Sequence, residues 1–209
     1  MMSPFRLRFM QTKDIKQVME IEQQVFSSAW SADTYFFEVN HSNISHMLVF
    51  TKASEKPEQG LRAFLTRMIG RPVSNTVYEK IYGFGGLWVT QGEGHISTIA
   101  VDAEQQGNGY GELLLAAMIG RAIRLKANYM MLEVRVSNIS AQHLYHKYGF
   151  IIDFVKHHYY LDDHEDAYAM RMDLMKPVIL ARFKELDQQI RSKIECEDTF
   201  TTSEHPRLK

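Results

Sequence analysis

The sequence has very little cysteine and no excess of charge of either sign. Cys196 is the only cysteine among 209 residues, which excludes an intramolecular disulfide and fits a reducing compartment. The 24 basic side chains are balanced by 25 acidic ones, giving a formal net charge of −1. This balance provides no general electrostatic attraction to nucleic acid or to an anionic membrane, so we expect neither as a partner.

Long hydrophobic runs are lacking as well. The longest run, residues 113–119, is far shorter than the ~20 residues that a membrane-spanning helix needs. The first ten residues contain no apolar segment of signal-peptide length. We therefore expect a soluble, cytoplasmic protein, and the 45% hydrophobic content is enough for one substantial core.

The most informative segment that is present is a glycine-rich turn, Gln106-Gly107-Asn108-Gly109-Tyr110-Gly111. It follows a β-rich segment, residues 95–102, and precedes an apolar-periodic segment that predicts a helix to about Lys126. Glycines allow a ligand to approach the backbone closely, and the free N–H groups and dipole of a helix N-terminus favour an anion. A ligand carrying a diphosphate is therefore the first candidate, although such turns also occur for purely structural reasons.

The spacing of the glycines excludes two common phosphate motifs. The dinucleotide fingerprint G-x-G-x-x-G needs a glycine where the chain has Glu112 or Leu114. The Gly-Lys-Ser/Thr ending of a P-loop does not follow the turn. The pattern that fits is Q-x-x-G-x-G, formed by Gln106, Gly109 and Gly111.

The residues after the turn predict a strand and a short helix, because residues 129–136 alternate, Asn138 can cap a helix and Gly149 can end it. The segments H-I-S-T-I-A-V-D before the turn, L-E-V-R-V-S-N at 132–138 and L-Y-H-K-Y-G-F at 144–150 resemble the GNAT superfamily of acetyl-CoA-dependent N-acetyltransferases. Within it they are similar to the ribosomal-protein alanine N-acetyltransferases (RimI-like). The resemblance covers roughly residues 5–51 and 81–174.

The resemblance implies an α/β fold of the GNAT acyl-CoA N-acyltransferase type, with a central, mostly antiparallel mixed sheet flanked by helices. We expect a domain at 1–175 with an insertion at about 52–80, which carries an amphipathic apolar patch at Leu61, Phe64, Leu65 and Met68. A helical and partly disordered C-terminal tail is expected at 176–209. Its apolar side chains at helical spacing indicate a helix that can dock a partner or a second copy: Ile179, Phe183, Leu186 and Ile190.

The resemblance also implies acetyl-CoA as co-substrate and assigns the residues that bind it. These are Ile99, Ala100, Val101, Gln106, Gly107, Asn108, Gly109, Tyr110, Gly111, Glu112 and Asn138. The backbone of residues 99–101 would pair with the pantetheine arm, and one amide would polarise the thioester carbonyl. Glu112 departs from the family, which usually has a basic residue there, so we expect its side chain to point away from the diphosphate.

Two residues match the catalytic groups of the family. Glu133 matches the proton acceptor, and Tyr145 matches the acid that protonates the departing CoA thiolate. The alternative interpretation of Glu133 is a solvated strand carboxylate paired with Arg135. The alternative interpretation of Tyr145 is an ordinary aromatic core residue. The resemblance further assigns three aromatic residues to the walls of the substrate cleft: Trp30, Tyr159 and Tyr160. No metal site is expected, since the histidines lack a third ligand at a recognisable spacing.

The predicted function is therefore a protein Nα-acetyltransferase that acts by direct attack in a ternary complex. The acceptor implied by the resemblance is the N-terminal alanine of a small-subunit ribosomal protein. Two alternatives stay open at this point: a GNAT enzyme that acetylates a small amine or a lysine side chain, and a non-catalytic acetyl-CoA-binding regulatory protein.

Overall fold

The computed structural model describes residues 5–57 and 75–206, apart from the side chains of 55–57 and 75–77. The strands are β1 (Phe5–Phe9), β2 (Ser45–Pro57), β3 (Asn75–Thr90), β4 (Glu93–Val101), β5 (Tyr129–Arg135), β6 (Ile151–Lys156), β7 (Ala167–Asp173) and β8 (Glu197–Asp198). The α-helices in these ranges are α1 (Ile15–Val25), α2 (Ala32–Asn40), α3 (Tyr110–Arg124), α4 (Ile139–Tyr148) and α5 (Pro177–Lys193). Short 3-10 turns cover Thr12–Asp14 and Ala103–Gln105.

The eight strands in the described part of the chain form one mixed sheet in the order β6-β7-β5-β4-β3-β2-β1-β8. Only the β4–β5 and β1–β8 pairs among them are parallel, and the other neighbours run antiparallel. The predicted fold class, a mostly antiparallel sheet flanked by helices, is therefore confirmed.

Helices cover both faces of the sheet and enclose two apolar clusters. Leu113 of α3, Tyr148 of α4 and Ile190 of α5 belong to the larger cluster. Val18 of α1 and Tyr35 of α2 belong to the smaller cluster on the other face. Side chains of a strand alternate between the faces of a sheet. Every second side chain of β5, such as that of Leu132, packs into the larger cluster. The side chains between them therefore point to the opposite face, which α1 and α2 cover.

The sheet divides between its two central strands. Pairing of β4 with β5 runs from Glu93 opposite Tyr129 to Ile96 opposite Leu132 and goes no further. Pairing of β4 with β3 continues to Val101. The register of β3 against β4 shifts at Ser97, which is the extra residue of a bulge. The last five residues of β4 therefore have one edge that no neighbouring strand of the described sheet covers.

The expected insertion at about 52–80 begins and ends as regular sheet. Residues 52–57 prolong β2 and residues 75–80 prolong β3, so that both strands form one long antiparallel hairpin. The predicted apolar patch of Leu61, Phe64, Leu65 and Met68 lies outside the described residues.

The C-terminal segment packs into the main core. Phe200 is fully buried, and β8 pairs with β1 through Leu7 opposite Asp198. The buried guanidinium of Arg121 donates from Nη1 to the carbonyl oxygens of Phe200 at 3.3 Å and Ser203 at 2.5 Å. The Thr/Ser/Glu-rich segment, which composition predicts to be disordered, thus contacts the core and the sheet through Phe200 and Asp198. These long-range contacts cannot be predicted from composition alone.

The apolar side chains of α5, which predicted docking of a partner or a second copy, also pack within the chain. Phe183 and Ile190 are buried in the larger cluster, and Ile179 and Leu186 pack against it. Their apolar face is therefore occupied by the protein's own α3 and α4. No helix in the described ranges combines the length and apolarity that crossing a membrane requires.

Candidate active site

The gap between β4 and β5 opens into a cleft of about 360 Å³. It brings together seven of the residues that the sequence assigned to the site: Trp30, Ile99, Glu133, Asn138, Tyr145, Tyr159 and Tyr160. They come from five separate parts of the chain. Strand divergence and the loops above it, rather than one continuous motif, therefore create the site.

Glu133 lies in the cleft on the sheet face that α1 and α2 cover. Its side chain is 9% exposed, its Oε2 accepts a hydrogen bond from His95 Nε2 at 2.8 Å, and its Oε1 accepts one from Lys156 Nζ at 2.6 Å. Burial acts to raise the pKa of Glu133, but the hydrogen bonds and positive charges of His95 and Lys156 outweigh it. The pKa therefore lies below the ordinary value for glutamate, and the carboxylate stays ionised at neutral pH.

The alternative interpretation pairs Glu133 with Arg135, but these two side chains form no ion pair with each other. Arg135 instead binds three of the acidic residues of the β6–β7 loop, Asp162, Asp163 and Glu165. The pKa of Asp162 is lowered to about 2 by hydrogen bonds from Arg135 and Ser27. The carboxylate of Glu165 is bound within the protein, since it also accepts from the backbone N–H of Ser137 at 2.7 Å.

Sequence reasoning did not assign a role to His95 or Lys156. His95 lies in the H-I-S-T-I-A-V segment, but only the register of β4 against β5 places it beside Glu133. Lys156 reaches Glu133 across β7, where the intervening residues Ala167 and Ala169 are small and fully buried. A charged residue at the end of a strand is ordinary, so no local signal distinguishes this lysine.

Tyr145 lies on α4 and also lines the cleft. The residue is 5% exposed, and its ring contacts Phe150 at a centroid distance of 5.9 Å. No group in the described ranges hydrogen-bonds its hydroxyl. Burial, followed by the nearby Tyr160, raises the pKa of Tyr145 above the ordinary value, so the phenol stays protonated. Tyr145 is a core aromatic residue whose ring also lines the cleft, and its catalytic role stays a prediction.

Asn138 caps the helix that carries Tyr145. Its Oδ1 accepts a hydrogen bond from the backbone N–H of Ala141 at 3.1 Å, and Gly149 ends the same helix with a φ of 101°. The predicted capping role of Asn138 is therefore present. Since Asn138 also lines the cleft, the second role, hydrogen bonding to the co-substrate, remains a prediction.

The glycine turn adopts a conformation that requires glycine at two positions. Gly107 has a φ of 78°, and Gly109, the N-cap of α3, has a φ of 81°. Asn108 fixes the turn by donating from Nδ2 to the carbonyl of Gln105 at 3.0 Å, and Gln106 donates to the carbonyl of Val101 at 3.4 Å. A Cβ atom on Gly107 would meet nothing within 4 Å, so the backbone there is open to a ligand.

Glu112 points away from the turn, as expected. Its Oε1 accepts hydrogen bonds from Lys147 Nζ at 2.6 Å and from the Tyr148 hydroxyl at 3.1 Å, both on α4. The carboxylate is thereby paired with a cation, which reduces its repulsion of an anion at the start of α3. The backbone N–H groups of Tyr110 and Gly111 remain on the first turn of that helix, where no side chain caps them.

The three residues assigned to the pantetheine arm differ in the direction of their backbone. The N–H of Asp102 donates to Tyr82 of β3 at 3.0 Å. Because peptide groups alternate along an antiparallel strand, those of Ala100 also face β3, whereas those of Ile99 and Val101 face the open edge. Ile99 and Val101 are therefore placed to pair with a ligand there, and Ala100 is not.

Aromatic side chains form two walls of the cleft. Trp30 stacks on Trp88 at a centroid distance of 6.2 Å, and its backbone N–H donates to Glu22 Oε1 at 2.9 Å. Glu22, which also accepts from the Tyr35 hydroxyl at 2.8 Å, was not assigned from the sequence. Burial raises the pKa of Glu22, against the effect of these two hydrogen bonds. Tyr159 and Tyr160 form the facing wall from the β6–β7 loop.

A divided sheet, an open glycine turn at a helix N-terminus and one cleft lined by a carboxylate and a phenol are the features of an enzyme that transfers a group from a diphosphate-bearing donor. The chain belongs to the acetyltransferase (GNAT) family, whose model matches residues 16–150. It is accordingly an acetyl-CoA-dependent N-acetyltransferase.

Individual relatives agree with this assignment. An N-alpha-acetyltransferase of Sulfurisphaera tokodaii is 30% identical over 175 residues, covering 81% of this chain and 93% of the relative. The [ribosomal protein bS18]-alanine N-acetyltransferase of Escherichia coli is 28% identical over 167 residues, covering 79% and 95%. The crystal structure of the ribosomal-protein-S18-alanine N-acetyltransferase from Escherichia coli superposes with a TM-score of 0.63 at 24% identity, over 81% of this chain and 94% of that one.

Proposed function

We propose that this protein transfers the acetyl group of acetyl-CoA to the N-terminal amine of a protein, with the N-terminal alanine of a small-subunit ribosomal protein as the leading acceptor. The observation that carries the proposal is the ionised Glu133 in a cleft with aromatic walls, with protonated Tyr145 lining the same cleft. The names of the relatives support an N-terminal acceptor, and a ribosomal acceptor would place the reaction in the cytoplasm.

The residues present fit acetyl-CoA as the donor. The backbone N–H groups at the start of α3 and the open space above Gly107 suit a diphosphate, and the uncovered edge at Ile99 and Val101 suits the amide-bearing pantetheine arm. When bound, acetyl-CoA supplies an electrophilic thioester carbonyl and a thiolate leaving group. No metal is needed for this chemistry.

Glu133 is proposed to receive the proton that the acceptor amine loses. An α-amino group has an unperturbed pKa of about 7.7–8.0, so a minority of the amine groups is already neutral at pH 7. A weak base is therefore sufficient to take the proton. The lowered pKa of Glu133 makes it a weak base but keeps it charged, which attracts the cationic amine into the cleft. His95 donates from Nε2 to the same carboxylate and so holds it in place while Glu133 takes the proton from the amine, directly or through one water.

Tyr145 is proposed to give a proton to the departing thiolate. A phenol has a pKa of about 10 and a thiol one of about 8.5, so the transfer depends on position rather than on acidity. The raised pKa of Tyr145 keeps the hydroxyl protonated, so it can donate a hydrogen bond to the sulfur as negative charge develops there, although it also makes full proton transfer less favourable. Since no protein group in the described ranges binds the hydroxyl, the proton is free to point into the cleft.

A lysine side chain or a small polyamine is the competing acceptor class. A lysine ammonium has a pKa of about 10.4, so its deprotonation demands a stronger base than a terminal amine does. Glu133, whose pKa is lowered, is poorly suited to that task. The electrostatics of the site therefore favour the N-terminal amine.

The proposal is tested with three acceptors and wild-type protein, following CoA release and product mass. The first is a lysine-free peptide that begins with alanine, the second an N-terminally blocked peptide that contains one lysine, and the third a polyamine. We expect turnover with the first acceptor alone. Turnover only with the second or third would overturn the acceptor class, whereas acetyl-CoA binding without CoA release under any condition would identify a non-catalytic binding protein.

A further inference from the structure

The C-terminal helix α5 packs directly behind the glycine turn. A Cβ atom on Gly109 would lie 3.3 Å from Ile190 Cδ1 and 3.5 Å from Ile194 Cδ1, so these methyl groups fill the space beside the turn. Ile190 is 4% and Ile194 8% exposed, and both belong to the main core. Both residues lie outside the segment, 16–150, that the family model matches.

The opposite side of the turn rests on an aromatic cluster. Tyr110, the first residue of α3, lies 4.9 Å from the ring of Phe50, 5.8 Å from that of Tyr82 and 6.1 Å from that of Phe5. These rings belong to three neighbouring strands of the sheet. The N-terminus of α3 is therefore held between the sheet on one side and α5 on the other.

Contacts away from the turn hold α5 in place. Near its start, Ile179 Cδ1 lies 2.8 Å from the position of a Cβ on Gly149, and in its middle Phe183 packs against Gly120 of α3. At its end, Arg191 binds Asp187 at 2.7 Å and Asp198 of β8 at 2.8 Å. Since β8 pairs with β1, the helix is attached to the sheet beyond the turn. It therefore provides a fixed support at Gly109.

We propose that Ile190 and Ile194 are positioning residues for the diphosphate of acetyl-CoA. They hold Gly109 in its left-handed conformation and so keep the N–H groups of the first turn of α3 directed at the ligand. A turn already held in the binding conformation loses less conformational entropy when the ligand binds, which increases affinity. This inference rests on the proposed function, because it assigns the diphosphate to this turn.

The test uses valine substitutions, which remove only the Cδ1 methyl group that faces the glycine. The variants are the double variant Ile190→Val/Ile194→Val and, as matched control, Ile179→Val, which removes the same methyl group beside Gly149. A buried Ile→Val change costs about 0.5–1.5 kcal/mol of stability, so the variants are expected to fold. Calorimetry gives the Kd of acetyl-CoA, steady-state kinetics give kcat at saturating donor, and thermal melts give Tm.

We expect the double variant to raise the Kd of acetyl-CoA about threefold or more with kcat unchanged, because only pre-organisation is lost. The control is expected to lower Tm while its Kd stays within about 1.5-fold of wild type. If wild type binds and both variants bind equally well, α5 is merely structural and the inference is overturned. If folded wild type does not bind acetyl-CoA, the proposed function itself fails.

Discussion

Nε2 of His95 lies 2.8 Å from Oε2 of Glu133, joining β4 to β5 where the two strands begin to separate. Lys156 binds the other oxygen of the same carboxylate at 2.6 Å. The candidate proton acceptor is thus an ionised carboxylate held by two hydrogen-bond donors, one of which is the ammonium group of Lys156.

Glu133→Gln should lower turnover by about 100-fold or more at neutral pH while leaving acetyl-CoA binding near normal, because the amide accepts no proton. Turnover should recover in part at higher pH, where more of the acceptor amine is neutral. Rate measurements across pH check this, with Glu93→Gln as control, since Glu93 lies on β4 outside the cleft and accepts from Tyr129. Wild-type turnover in Glu133→Gln would remove this residue from the mechanism.

Lys156→Met should raise the pKa of Glu133, because a donor and a positive charge that favour the ionised carboxylate are lost. In wild type the lowered pKa contributes stability that is present above the unfolded-state value of about 4.3 and is lost as the pH falls through the folded-state value. The titration midpoint of the ¹³C-labelled Glu133 carboxyl, assigned with Glu133→Gln, reports the shift by NMR. Lys176→Met, which removes an exposed partner of Asp173, should leave that midpoint unchanged. An identical midpoint in wild type and Lys156→Met contradicts the electrostatic argument.

Tyr145→Phe should reduce kcat about tenfold or more without changing the Kd of acetyl-CoA. The phenol hydroxyl has no hydrogen-bond partner in the described structure, so its removal should leave Tm nearly unchanged. Single-turnover kinetics and thermal melts separate the two effects. Tyr129→Phe, which removes a hydroxyl bonded to Glu93 outside the cleft, serves as control. A loss of stability at unchanged kcat would identify Tyr145 as a core aromatic residue only.

Arg135→Lys should raise the KM of the peptide acceptor about tenfold while the KM of acetyl-CoA stays within about twofold. Arg135 Nη2 donates to Ser27 of the α1–α2 loop at 3.2 Å and to Asp162 of the β6–β7 loop at 2.6 Å, so it connects the two loops beside the cleft. Its guanidinium also lies 3.8 Å from the centre of the Tyr160 ring. A lysine ammonium lacks the planar fork that makes these contacts together.

Arg171→Lys is the matched control, because Arg171 stacks on Tyr129 at 4.1 Å away from the cleft. Equal increases in the KM of both substrates for Arg135→Lys would show a general distortion of the site rather than a role on the acceptor side.

Part of the site could be predicted from the sequence because it depends on local interactions. The conformations of Gly107 and Gly109, the cap at Asn138 and the alternation that turns Glu133 away from the larger core cluster follow from interactions among residues close in the chain. Such features depend on backbone geometry, on hydrogen bonding to nearby amides and on the two-residue period of a strand, all of which are determined by the local sequence. The orientation of Glu112 followed from charge alone.

The tertiary structure decided the rest, because it depends on contacts between distant residues. Lys156 meets Glu133 only after β6, β7 and β5 pair in register, and His95 meets it only because β4 and β5 run parallel up to Ile96. In the C-terminal segment Phe200 fills the core and α5 packs on α3, which the polar composition of the segment does not reveal. The glycine turn is thus a local feature of the chain, whereas its support by Ile190 is a property of the folded molecule.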